Sequence, residues 1–366
     1  MRRLILLLST AALVLWSVAP AMAGSPEVLD WLRAHQSADG GFAGDSDSAS
    51  GLGATTEAVF AIVAGGEDPA TWSQGGNTPI SFLESRASNA LSTPGDTAKL
   101  ILAALAAGRD PRDLGGIDLV SSLEARLDDS GLYGGAEAGN VVSQSLAILA
   151  LKAAGRPIPA SAVDWLVAVQ LADRSWSWSG DTTPGSGDSN STALAIQALV
   201  AADGQDAAVN KAMEYLHGIQ NEDGGFPYQK PSNFGSDTDA NSTAYVIQAL
   251  IATGNDPASS DWTVGGNTPL AALAALQLKS GAFAWQAAVP SENFLASVQA
   301  VPALEGKAFL DLTGAMNVGE PTAPAQLPAT GGFSPEGAYH LSVWGLALVI
   351  IGLALNKARS ILRRRL

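Results

Sequence analysis

The side chains best suited to chemistry in this chain fall in three loops of one recurring pattern. The first holds Asp45 and Asp47, and the second Trp176, Trp178, Asp181, Asp188 and Asn190. The third holds Phe226, Tyr228, Asn233, Asp237, Asp239 and Asn241. Carboxylates and amides beside aromatic rings are what a concave site for a small molecule or a glycan needs. The same residues have a plainer use. Asp188, Asn190, Asp239 and Asn241 stand where helices begin, and such side chains cap the free N–H groups of a first turn. Phe42, Trp176 and Phe226 close tight turns, which suits packing beneath them. Trp178 and Tyr228, two residues farther on, are the better ligand contacts. The candidate site is therefore Trp178 and Tyr228 with Asp181, Asp188, Asn190, Asp237, Asp239 and Asn241 around them.

Other chemistries are excluded by what is missing. The chain has no cysteine, which rules out disulfides, thiolate zinc sites, thioesters and cysteine nucleophiles. Its only histidines are His35, His217 and His340, and the first two fall on outer helices where a solvated ring is expected. Asp45-Ser46-Asp47-Ser48 suggests a calcium loop, but Ser50 stands where the loop needs glycine and Thr56 where it needs a bidentate acid. No metal and no cofactor is assigned. With 35 acidic residues against 20 basic ones, the balance argues against nucleic acid as a partner.

The loops must be positioned by helices. A large core is available, because 47% of the 366 residues are hydrophobic and only 15% charged. Apolar periodicity and start signals give twelve helical segments in six pairs. The pairs are 26–36 with 54–64, 79–91 with 94–107, 117–127 with 140–154, 160–170 with 190–202, 206–220 with 241–253, and 269–278 with 293–304. First members carry bulky anchors and charges on separate faces, as at Trp31-Leu32, Trp165-Leu166 and Tyr215-Leu216. Second members are small and apolar all round, which marks them as buried on every side. Six such pairs predict an inner ring and an outer ring, closed into an all-α α6/α6 double-ringed toroid; an open solenoid would need polar end caps. Two links, one with Trp72 and Gly75-Gly76-Asn77-Thr78-Pro79 and one with Trp262 and Gly265-Gly266-Asn267-Thr268-Pro269, are near copies. Each leads from an inner helix to the next outer one.

Gln36-Ser37-Ala38-Asp39-Gly40-Gly41-Phe42 and Gln220-Asn221-Glu222-Asp223-Gly224-Gly225-Phe226 are the signature of these turns. With the small-residue inner helices, they resemble the repeats of the squalene–hopene cyclase and protein prenyltransferase superfamily over most of residues 26–307. That resemblance implies an α6/α6 toroid. The superfamily includes isoprenoid cyclases, zinc prenyltransferases and the cobalamin-binding domain of intrinsic factor and transcobalamin. The Asn-Ser-Thr-Ala helix starts and Asn-Thr-Pro links are most similar to the last branch and to secreted bacterial repeat proteins. The cyclases' acid motif, Asp-x-Asp-Asp-Thr-Ala, aligns with Asp239-Ala240-Asn241-Ser242-Thr243-Ala244. Asn241 and Ser242 replace the acid and its partner, and Asn190 and Ser191 do the same after Asp188. The prenyltransferase zinc site lacks its cysteine. The β domain that completes cobalamin capture has no counterpart before the stalk.

The two ends read as targeting. Residues 1–23 resemble a secretory signal, with Arg2 and Arg3, an apolar run and Ala21-Met22-Ala23 as cleavage site. Residues 24–312 form the toroid, and 313–326 a Pro/Ala-rich stalk. In 327–366, Leu327-Pro328-Ala329-Thr330-Gly331, an apolar segment over 341–355 and a basic tail resemble the sorting signal read by sortase-type transpeptidases. A plain tail anchor is the alternative. Removing both ends takes away seven basic residues and Glu336, leaving 13 basic residues against 34 acidic, or −21. The expected protein is exported and held at a bacterial cell surface, by the wall or the membrane. It is expected to bind a small molecule, glycan or partner at an acidic, aromatic rim without catalysing a reaction. A spacer without a pocket, a divergent cyclase-like enzyme and a cobalamin-type binder remain as alternatives.

Overall fold

A computed structural model describes residues 24–233 and 235–314. The expected signal segment, most of the stalk and the sorting signal lie outside the described residues. Among those described, no helix is long and apolar enough to cross a membrane.

Six helices of small apolar residues form the inner ring: α2 (Leu52–Ala64), α4 (Pro94–Ala106), α7 (Val141–Ala153), α9 (Ser189–Ala202), α11 (Ala240–Ala252) and α13 (Phe294–Leu304). Each packs on the next, and α13 packs back on α2, so the ring is closed. Burial on every side explains their composition. In α7 every residue from Ser143 to Leu151 is buried. The outer ring comprises α1 (Ser25–Ala34), α3 (Pro79–Ser85), α5 (Leu119–Glu124), α8 (Ala160–Ala168), α10 (Asp206–Ile219) and α12 (Pro269–Ala274). These are amphipathic. In α10 the buried set Ala208, Val209, Ala212, Leu216 and Ile219 follows the helical period.

The recurring turns are held by side chains as well as by glycine. Gln36 Nε2 donates to Gly40 O at 3.1 Å and to Trp72 O at 3.2 Å, and Gln220 Nε2 to Gly224 O at 2.8 Å and Trp262 O at 2.9 Å. A terminal glutamine thus ties its own turn to the Trp-bearing link that covers it. Gly224 has φ +86°, and a Cβ there would lie 2.6 Å from Asn267 O, so only glycine fits under the link. From the other side, the N–H groups of Phe42, Trp176 and Phe226 donate to Thr55, Thr192 and Thr243, each at 3.0 Å. Those threonines each lie four residues past an inner helix's N-cap, on its outward face.

The closing junction joins the first and last pairs. Gln277 exchanges two hydrogen bonds with the Gly24 backbone, both 3.1 Å. Asp45 accepts the N–H groups of Phe294 and Leu295, the first two residues of α13.

The twelve expected segments are all present; the third and last outer ones shorten to Leu119–Glu124 and Pro269–Ala274, and three further differences stand out. The second outer segment ends early, and Ala87–Ser92 continue as a 3-10 turn. After α12 the chain makes an antiparallel hairpin, β1 (Phe283–Gln286) and β2 (Val289–Asn293), which apolar periodicity over so few residues did not reveal. Two short helices are additional: α6 (Gly135–Ala138) and α14 (Phe309–Leu312). Pro302 lies within α13 without ending it.

Helix α14 closes one end of the barrel. Phe309 N donates to Gln197 of α9 at 3.1 Å, and its ring meets Phe60 of α2 edge-on at 5.3 Å and Tyr245 of α11 at 6.4 Å. Contact with helices on different sides of the ring puts Phe309 on the axis. Lys307 Nζ, just before it, donates to Ala64 O at the end of α2. The blocked end is therefore where the inner helices finish, and the other end is where they start.

Candidate rim and axial site

At the open end, two aromatic segments lie across the starts of successive inner helices. Trp176 is tied to α9 through Thr192, while the Trp178 carbonyl accepts Val141 N, the first N–H of α7, at 3.0 Å. Phe226 is tied to α11 through Thr243, and the Tyr228 carbonyl accepts Ser189 N of α9 at 2.8 Å. Each segment so bridges two inner helices and leaves its last ring partly exposed at the rim. Trp178 is 45% exposed and Tyr228 38% exposed; they are the large hydrophobic residues left at the surface among those described.

The other predicted residues divide into three groups. Asp188 and Asp239 are buried N-caps, each accepting a serine N–H and the same serine's hydroxyl: Ser191 at 2.7 Å twice, Ser242 at 2.7 and 2.9 Å. Asp181 and Asp237 are exposed in the outer loops, where Asp181 accepts Thr183 N and Oγ1 at 2.8 and 2.7 Å. Asn241 turns inward, its Nδ2 donating to Gln299 Oε1 at 2.7 Å, and Asn190 stands in the same register of α9. The eight residues do not converge on one point.

Burial pushes Asp188 up to about 6 and Asp239 up to about 7, with the serine hydrogen bonds acting in the opposite direction. Tyr228 joins the two acids: its N–H serves Asp239 and its hydroxyl reaches Asp188. Its phenol and that of Tyr215 are raised by burial and by the nearby Asp188 charge. An unfolded aspartate titrates near 3.9. The folded chain therefore binds protons as pH falls from about 7 to about 4, and stability should rise over that window. Melting temperature is predicted to be higher at pH 5 than at pH 7.5, with the Asp188→Asn, Asp239→Asn double variant showing a flatter profile. An identical profile in that variant would assign the trend to surface carboxylates.

The barrel axis carries residues that sequence reading missed. Glu57, Lys99, Tyr245 and Gln299 each lie six residues after an N-cap: Gly51, Thr93, Asp239 and Asn293. Leu146 and Leu194 complete this layer on α7 and α9. Lys99 forms an ion pair with Glu57, whose side chain is 6% exposed against 23% for Lys99. Gln299 Nε2 donates to Glu57 Oε1 at 3.2 Å and to the Tyr245 hydroxyl at 3.3 Å. Lys99 and Tyr245 stand on helices that are not neighbours, α4 and α11, and are linked through Glu57 and Gln299. Burial is the largest influence on Lys99 and would lower it, but Glu57, Tyr245 and Asp96 together outweigh it and keep the ammonium protonated. The available signal was register: counting from each N-cap puts two charges inside helices that are otherwise small and apolar.

Two surface depressions, about 460 and 320 Å³, lie instead on the outer wall beside Gly204 and include none of these residues. Among the described residues, no cluster of three or more His, Asp or Glu side chains could hold a metal ion.

The sequence matches the prenyltransferase alpha-alpha toroid domain family over residues 4–85 and 116–288. The chain belongs to that family. No curated protein matches it significantly. Among solved structures, a protein from Actinoplanes is 16% identical, with a TM-score of 0.55 over 77% of this chain and 98% of that one. The type II terpene cyclase MstE from Scytonema is 11% identical, with a TM-score of 0.55 over 77% and 96%. The unsaturated glucuronyl hydrolase from Bacillus sp. GL1 is 13% identical, with a TM-score of 0.51 over 72% and 86%. At such identities the likeness carries the fold alone, and function must be argued from the site.

Proposed function

We propose that this toroid is a surface-displayed binding protein that takes a small molecule, glycan or partner on its open rim. The observation behind this reading is the pair Trp178 and Tyr228. Both are held by backbone bonds to the starts of inner helices, yet Trp178 stays 45% exposed and Tyr228 38%, the latter with its hydroxyl turned in to Asp188. A rigid scaffold that spends two large rings on an exposed rim favours contact with something else. Terpene-cyclase chemistry gains no support from the residues, since Asn241 and Ser242 occupy the acid positions. Trp178→Ala with Tyr228→Ala is predicted to lower ligand binding at least about tenfold, with a small fall in melting temperature because the Tyr228 hydroxyl serves the buried Asp188. A large loss of stability would make these rings part of the core and remove the main support for a rim site.

Display rests on the two ends. The order Leu327-Pro328-Ala329-Thr330-Gly331, apolar segment, basic tail favours handling by a sortase-type transpeptidase, with cleavage after Thr330. Protein released from cells by wall-degrading enzymes is then predicted to end at Thr330 with an envelope fragment attached. Recovery of intact Leu366 in membranes would leave an ordinary tail anchor. The spacer reading draws on one observation, the Phe309 plug that fills the lower part of the axis; it requires the rim variant to bind its envelope partners as well as the parent does.

A further inference from the structure

The rim leaves unexplained why this barrel carries a charged layer across its axis. Leucines at 146 and 194 show that the same layer packs well with apolar side chains. Replacing a buried ion pair by apolar residues of similar volume is often neutral or stabilising. Folding alone therefore gives no reason for Glu57 and Lys99.

The pair is also held in one orientation. Asn241 donates to Gln299, and Gln299 donates to both Glu57 and the Tyr245 hydroxyl, while Lys99 binds Glu57 from the far side. Tyr245 accepts in this chain, so its own O–H remains to donate. Lys99 has three N–H donors and Glu57 engages one of them. These groups are within reach of solvent. The Lys99 side chain is 23% exposed and Tyr245 half-buried, and a Cβ built on Gly53, at the start of α2, would meet nothing within 4 Å. Beyond them the axis is blocked by Phe309.

We propose that the Glu57–Lys99 pair, with Tyr245 and Gln299, is a binding floor for the hydroxyl groups of a neutral saccharide entering from the open end. This deepens the rim reading and rests on it. Each hydroxyl both donates and accepts, and a fixed ammonium–carboxylate pair offers one acceptor and one donor side by side. The charge of Lys99 is already matched by Glu57, so an anionic ligand would bring an uncompensated charge into a buried site. The acidic balance of the whole chain adds to that cost. A neutral polyol adds no net charge, and Trp178 and Tyr228 supply flat apolar faces for a sugar ring.

The test is saturation-transfer NMR on the full-length protein with maltose, cellobiose and chitobiose, and with glucuronate and glucosamine as charged controls. At least one neutral disaccharide should give transfer, and more strongly than either charged sugar. Glu57→Gln with Lys99→Met, which removes both charges together, should weaken that binding about tenfold or more while circular dichroism shows an unchanged melt. Tyr245→Phe keeps the ring on Phe309 and should weaken it several-fold. Absence of transfer from all three disaccharides, preferential binding of a charged sugar, or full binding by the double variant would each overturn the proposal. Loss of binding in the Trp178→Ala, Tyr228→Ala variant alone would leave the rim reading standing and remove the floor. Loss in the floor variant alone would do the reverse.

Discussion

Alanine at Trp176 is expected to destabilise the toroid by about 3–5 kcal/mol, the usual range for a buried tryptophan. Alanine at Trp178 should cost less than about 1 kcal/mol. The two residues are close in sequence and differ in what they touch. Trp176 is fully buried, and its indole Nε1 donates to Leu166 O at 2.7 Å. Removing the ring opens a cavity beneath the fourth turn and leaves that carbonyl without its partner. Trp178 keeps its structural tie through its carbonyl, which any residue supplies. Urea melts of the two single variants decide the matter, and equal losses would contradict the assignment of one ring to the core and the other to the rim.

The second large effect is expected at the axial ion pair. Lys99→Ala should cost roughly 3 kcal/mol, near the lower end for breaking a buried pair because Lys99 keeps some contact with water. The cost comes from the Glu57 carboxyl, left among apolar helices with Gln299 Nε2 as its remaining donor. Lys99→Met combined with Glu57→Leu should restore most of the loss, since Leu146 and Leu194 already fill this layer without charge. A double-mutant cycle measures this directly, and additive losses would mean that the two side chains do not act as a pair.

Much of the fold was legible because repeats such as the fifth announce themselves twice. Asp223-Gly224-Gly225-Phe226 marks a turn, and Asp239 through Thr243 marks the helix start that the turn packs against. Their hydrogen bonds are local or reach one neighbouring element, which a linear reading can follow. The site was less legible. Asp188, Asp239 and Asn241 look alike in sequence, as polar residues at a helix start. Two of them are spent on caps, while Asn241, two residues after one of those caps, turns toward the axis. Glu57 and Lys99 escaped notice because the contact joins residues 42 apart, and only register around a closed ring brings them together. The plug escaped for a similar reason. Phe309 follows the last repeat, so no pattern in the sequence ties it to Phe60 or Tyr245.

The ring closure has a consequence for how this domain comes apart. At every junction between neighbouring pairs but one, the peptide chain itself joins the two sides. At the seam between the sixth pair and the first, Gln277 on Gly24, Asp45 on α13 and the packing of α13 against α1 and α2 must hold without it. Opened there, the circle becomes a row of repeats with two loose ends from which unzipping can proceed. Closed there, no repeat is terminal, and unzipping has to begin by breaking non-covalent contacts alone.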